Sequence, residues 1–106
     1  MAFKALFIAH APDADYKKHR TVIDTGMYTL YSVVVKTQEE ALQVSKEYWQ
    51  NESIEAIMLC PGFTHGDVAE IFKAVDGKVS VNVARGDGPS SRISMEALKK
   101  AGYFPS

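Results

Sequence analysis

The sequence predicts an α/β fold. It reads as a single α/β domain over residues 1–106, with a mainly parallel four-stranded sheet, two crossover helices and a short C-terminal helix. Three observations carry this. Four apolar runs of strand length lie near 3–10, 27–36, 54–60 and 79–85. Amphipathic stretches separate the second run from the third and the third from the fourth. Strands alternating with such helices imply right-handed crossovers and parallel pairing.

The first run, FKALFIAH from Phe3 to His10, is continuous rather than alternating, as expected of a strand covered on both faces. Ala11 to Arg20 is polar, contains Pro12 and ends in the basic cluster Lys17–Arg20, which reads as a solvated loop. Thr21 to Asp24 could form a short strand, with Thr25-Gly26 as the turn into the second long run. That run, MYTLYSVVVK, is rich in β-branched and aromatic residues and is the clearest strand.

Thr37 offers a helix N-cap, with Glu40 three residues on to complete a capping box. Ala41, Val44 and Tyr48 then recur at helical spacing from Gln38 to about Asn51. Ile54 to Cys60 is the third strand, broken by Pro61-Gly62. Thr64 caps a second helix with the stripe Val68, Ile71, Phe72 and Val75, and Gly77 suits the left-handed position at its end. Val79, Val81 and Val83 alternate with smaller or more polar residues as a fourth strand ending at Arg85. Ser94 caps a short last helix through Met95, Leu98 and Ala101, closed by Gly102.

The order 2-1-3-4 places the two most apolar strands centrally and both crossover helices on one face. The other face then needs the C-terminal helix, the segment 11–27, or a second subunit. A twofold homodimer is expected, joined through that face or through the tail Tyr103–Pro105. The apolar tail fits docking on its own core as well as on a neighbour.

Composition narrows the function. With 46% hydrophobic and 24% charged residues the chain is globular, and a net charge of −1 argues against nucleic acid as a partner. No apolar run is long enough for a membrane span or a secretory signal. A lone cysteine, Cys60, excludes an intrachain disulfide and fits a reducing, cytoplasmic setting.

In an open parallel sheet, ligands bind beyond the carboxyl ends of the strands. Those ends carry His10, then Cys60 with Pro61-Gly62-Phe63-Thr64-His65, then Arg85 with Gly86-Asp87-Gly88-Pro89-Ser90. The opposite rim has ordinary connectors such as Asp76-Gly77-Lys78. A small-molecule site is therefore expected at this rim, lined by His10, Cys60, Gly62, Phe63, His65, Arg85, Gly86, Asp87 and Ser90. Arg85 and helix N-termini suit a carboxylate or phosphate, while Asp87 accepts from a hydroxyl or amine. The Gly86-Asp87-Gly88 loop fits a plain tight turn equally well.

Cys60 is either a packed free cysteine or, with a histidine such as His65 or His10 beside it, a nucleophile. Cys60 and His65 are thus the candidate catalytic residues. His10, Cys60 and His65 lack metal-site spacing, so no metal is expected. No cofactor is indicated, because the loop lacks both the P-loop lysine and the dinucleotide fingerprint.

The segments FIAHAPDAD, LCPGFTHGDVAEIF and VNVARGDGPSSRIS together resemble a family of small bacterial α/β proteins classed as a domain of unknown function. That resemblance implies a compact prokaryotic cytosolic domain. It transfers no activity, substrate or cofactor.

Overall fold

The computed structural model describes residues 1–104. β1 (Phe3–His10) lies at the centre of a five-stranded sheet in which β2 (Arg20–Asp24) pairs with β3 (Tyr28–Val35), β3 with β1, β1 with β4 (Ala56–Leu59), and β4 with β5 (Ser80–Val83). All pairings are parallel except β2 with β3. The sheet thus differs in detail from the four parallel strands expected: Arg20–Asp24 adds a fifth, antiparallel strand at the edge.

The turn between β2 and β3 causes this. Gly26 takes φ +99°, a left-handed value that glycine tolerates. The Asp24 carboxylate accepts from Gly26 N–H at 2.8 Å, and the Thr25 hydroxyl accepts from Tyr28 N–H at 3.1 Å. A connection this short can only return the chain antiparallel. Arg20 is accordingly no loop residue. It opens β2, donates to Glu47 at 3.0 Å and to the Tyr48 hydroxyl at 3.2 Å, and lies over the Tyr48 ring.

α1 (Gln38–Glu52) and α2 (His65–Ala74) pack side by side on one sheet face. Leu6, Ile8, Val33, Val35, Ile57 and Leu59 from the strands meet Ala41, Val44, Tyr48, Ile71 and Val75 from the helices in one core. Thr37 caps α1 as expected by accepting from Glu40 N–H (3.1 Å). The Glu40 carboxylate, however, reaches back to Lys36 N–H rather than to Thr37, so the expected box is shifted by one residue. At α2 the box is complete, between Thr64 and Asp67. Phe72 departs from its expected core role: it is 49% exposed, at the side of α2 facing β5.

The second sheet face is uncovered. Alternation puts Phe7, Leu30, Val34, Met58 and Ile23 there, outside the core cluster. The C-terminal helix does not close it. α3 (Gly88–Lys100) has no buried residue and packs on neither the sheet nor the other helices. It also starts six residues before Ser94. Pro89 sits in its first turn, where a missing N–H costs nothing, and Ser90 and Ser91 N–H both donate to Asp87 O.

α3 ends in a Schellman motif. Gly102 has φ +86°, Tyr103 N–H donates to Leu98 O and Gly102 N–H to Lys99 O. Tyr103 is half-buried and Phe104 is 42% exposed; the tail at Pro105 lies outside the described residues. The segment 11–27 turns into the edge strand; its Tyr16 packs against the helix-side core, and its Ala14 is buried outside that cluster.

Candidate functional site

Register brings three strand ends level. Ile8 pairs with Leu59 and Leu59 with Val83, so the carboxyl ends of β1, β4 and β5 form one rim. Cys60 N–H still donates to Ile8 O, and Ala84 N–H to Leu59 O. β5 itself stops at Val83, two residues before the expected Arg85.

At β1 and β4 the rim residues meet. The His10 ring stacks on Phe63, with centroids 4.1 Å apart and planes at 19°. Phe63 is buried, which anchors the stack to the core. A Cβ placed on Gly62 would lie 3.7 Å from Cys60 Sγ and 3.8 Å from His10 Nδ1, so glycine leaves open the space between them. Burial pushes the His10 imidazole below its ordinary range, and the Asp67 carboxylate partly offsets this. His10 is therefore neutral near pH 7, with a lone pair to accept a proton. Cys60 is part-buried.

The remaining expected residues stand apart from this group. Arg85, Gly86, Asp87 and Ser90 are exposed, and a Cβ on Gly86 would meet nothing within 4 Å. Asp87 takes the N-cap position of α3 but makes no side-chain cap hydrogen bond. The first-turn N–H groups of α3 thus lack the side-chain acceptor that Thr37 and Thr64 give α1 and α2. His65 opens α2 and is exposed. It lines a groove of ≈ 340 Å³ with Val68, Ala69, Phe72, Val81 and Val83, on the helix side of the β5 edge. Asp67 in the first turn of α2 already complements that helix dipole and opposes an incoming anion there.

A family model for a family of unknown function, DUF6506, matches residues 3–99. The chain belongs to this family. No curated protein and no solved structure matches it. The DUF6506 match runs from the start of β1 to the last turn of α3, so the rim, the groove and the second sheet face all belong to the family's domain.

Two features of this DUF6506 chain escaped sequence reasoning. One is Gln38, whose amide donates to Asp67 O and to Glu70 Oε1, both at 3.1 Å, tying the start of α1 to the start of α2. Its Oε1 is buried without a hydrogen-bond partner among the described residues. No sequence signal marks it, since glutamine is ordinary in a first helical turn. The other is a cleft of ≈ 300 Å³ between β2–β3 and α1, lined by Arg20, Tyr31, Glu47, Tyr48, Asn51 and Glu52 among others. Tyr31 O–H donates to Glu52 at 3.0 Å, and the Tyr31 and Tyr48 rings are tilted at 5.1 Å. The four-residue spacings Glu47–Asn51 and Tyr48–Glu52 put these side chains on adjacent strips of α1. In the sequence the loop reads as ending at Arg20 and the short strand as starting at Thr21, so Arg20 is not paired with them there.

No helix among the described residues is long and apolar enough to cross a membrane. Among those residues, no group of three His, Cys, Asp or Glu side chains is placed to hold a metal ion.

Proposed function

We propose that this chain binds a small anionic metabolite at the carboxyl rim, where the start of α3 meets Arg85. The observation that carries the reading is the exposed Arg85 beside the start of α3, where Asp87 makes no side-chain cap hydrogen bond and leaves the Gly88 N–H without a side-chain acceptor. A backbone N–H and a guanidinium together suit a carboxylate or phosphate. Asp87 and Ser90 would accept from or donate to a hydroxyl or amine on the same ligand. A reducing bacterial cytoplasm is part of this reading; it rests on the lone cysteine and on the sequence resemblance. Phosphate or a small carboxylate should raise the melting temperature of the protein by mass action. Arg85→Ala should remove most of that rise and leave the unliganded melting temperature unchanged. An undiminished rise in the variant moves the site elsewhere.

Two further readings each have an observation behind them. Cys60 and His10 flank the same open position at Gly62, which favours thiol chemistry with His10, rather than His65, as the base. The sheet face without a helix, where Ile23 is exposed and Phe7, Leu30, Val34 and Met58 are part-buried, favours a self-associating module that works as a homodimer. Light scattering over a dilution series tests the latter, since a monomer mass at micromolar concentration removes it.

A further inference from the structure

Two unpartnered surfaces of this chain fit one another. The first is the groove between α2 and β5. Burial falls from Val79 (2% exposed), just before β5, through half-buried Val81 to Val83 (38%), while Phe72 beside the strand stays 49% exposed. Two helices cover a five-stranded sheet, and the place over β5 where a third would lie is this groove. Its walls are almost wholly apolar.

The second surface is α3. Ile93, Ala97 and Ala101 recur at four-residue spacing, joined by Ser90 and Ser94 on the same side. Arg92, Glu96 and Lys99 lie on the opposite side. Small residues let a helix approach closely, yet Ile93 is 67% exposed and none of the described residues buries the stripe. At about 1.5 Å per residue, α3 is roughly 20 Å long, enough to run the full length of α2. With α3 included, the chain is elongated, 44 Å along its longest axis and 28 Å along the other two.

We infer that α3 is an exchanged arm: in a twofold pair, the α3 of each chain seats in the α2–β5 groove of the other. One symmetric step then covers both helices and both grooves, the reciprocal contact that a twofold axis requires. Seating a helix of this length covers several hundred Å² on each side, so two seatings approach the roughly 1,600 Å² of a standard specific interface. Ala84 to Asp87 forms the connection. It holds no buried residue, and a Cβ on Gly86 would meet nothing, so it is free to serve as the hinge. Because His65 lines the groove, the partner's arm also abuts the rim site.

The test uses two full-length variants with intact cores, Phe72→Asp in the groove and Ile93→Asp on the arm. Wild type should be a dimer by light scattering at micromolar concentration. Each variant alone should be monomeric, with dimer affinity weakened at least tenfold and far-ultraviolet circular dichroism unchanged. An equimolar mixture should recover a heterodimer, because the intact arm of the Phe72→Asp chain fits the intact groove of the Ile93→Asp chain. Three results overturn the inference. A monomeric wild type, or a mixture that stays monomeric, means the arm folds on its own chain. Single variants that remain dimeric move the contact to the open sheet face.

Discussion

Cys60 and His10 face each other across a missing side chain, with Sγ and Nδ1 lying 3.7 and 3.8 Å from where a Cβ on Gly62 would sit. Both are ordinary van der Waals distances, so Gly62→Ala should fold with a stability change under about 1 kcal/mol. The added methyl would fill the approach to the thiol. The rate of native Cys60 modification by a thiol reagent at neutral pH should fall several-fold in the variant. Equal rates would show that the reagent reaches Cys60 from another side. A thiol that is unreactive in the native wild type would remove the nucleophile reading altogether.

His10 gives the fold a pH dependence. Its folded-state pKa lies below the ordinary 6.5, chiefly from burial. Below 6.5 the unfolded chain therefore binds a proton that the folded chain does not. The stabilisation is complete above that value and is lost as pH falls through the window beneath it. Urea denaturation at pH 7.5 and 5.5 should show a drop in wild type that His10→Phe reduces. A nuclear magnetic resonance titration placing His10 at or above 6.5 would contradict the burial argument.

Arg20 fastens the edge hairpin to α1. Its Nε donates to Tyr16 O at 2.8 Å, and its guanidinium serves both Glu47 and the Tyr48 hydroxyl. Removal by Arg20→Met should cost about 1–2 kcal/mol, as expected for hydrogen bonds to a charged donor. The Glu47 pair is part-exposed, with side chains 27% and 38% accessible, so a double-mutant cycle with Glu47→Gln should couple by less than about 1 kcal/mol. A larger coupling would mean that the ion pair, rather than the Tyr16 and Tyr48 contacts, holds the hairpin.

Two successive residues after α2 are left-handed, Asp76 at φ +57° and Gly77 at φ +64°. Glycine suits both, but aspartate occupies the first. Asp76→Gly should stabilise the protein by about 0.5–1 kcal/mol, and Gly77→Ala should destabilise it by about 1 kcal/mol or more. The alanine would also bring a Cβ to 3.5 Å from the Phe72 ring. Thermal and urea unfolding of both variants checks the opposite signs.

Periodicity and caps made much of this fold legible. Thr37 and Thr64 begin their helices as read, β1 spans Phe3–His10 as read, and Gly77 and Gly102 terminate helices with positive φ. What failed was tertiary. Thr21–Asp24 reads as a possible short strand, but its antiparallel place at the sheet edge and its start at Arg20 show only once it is paired, and Pro89 reads as a loop unless it is placed in a first helical turn. At the rim, alignment of strand ends followed from the order of elements, so His10, Cys60, Gly62 and Phe63 come together. The exposed cluster from Arg85 to Ser90 does not join them, because β5 ends early and the chain leaves the rim as α3. Gln38 and the Arg20 cleft depend on contacts between elements far apart in sequence, which no local pattern encodes.

The central position of β1 also sets an order of events on the ribosome. β1 can pair with β3 once Val35 has been made, but its other edge waits for β4, which begins at Ala56. At about 5–20 residues per second, that gap of roughly 20 residues lasts about 1–4 s. Throughout it, the most apolar strand of the nascent chain offers an unpaired edge. α1 is the only element completed in the interval, and its Thr37 cap allows it to form at once. A destabilised α1 should therefore lower the yield of protein made in cells more than it lowers the stability of the finished molecule.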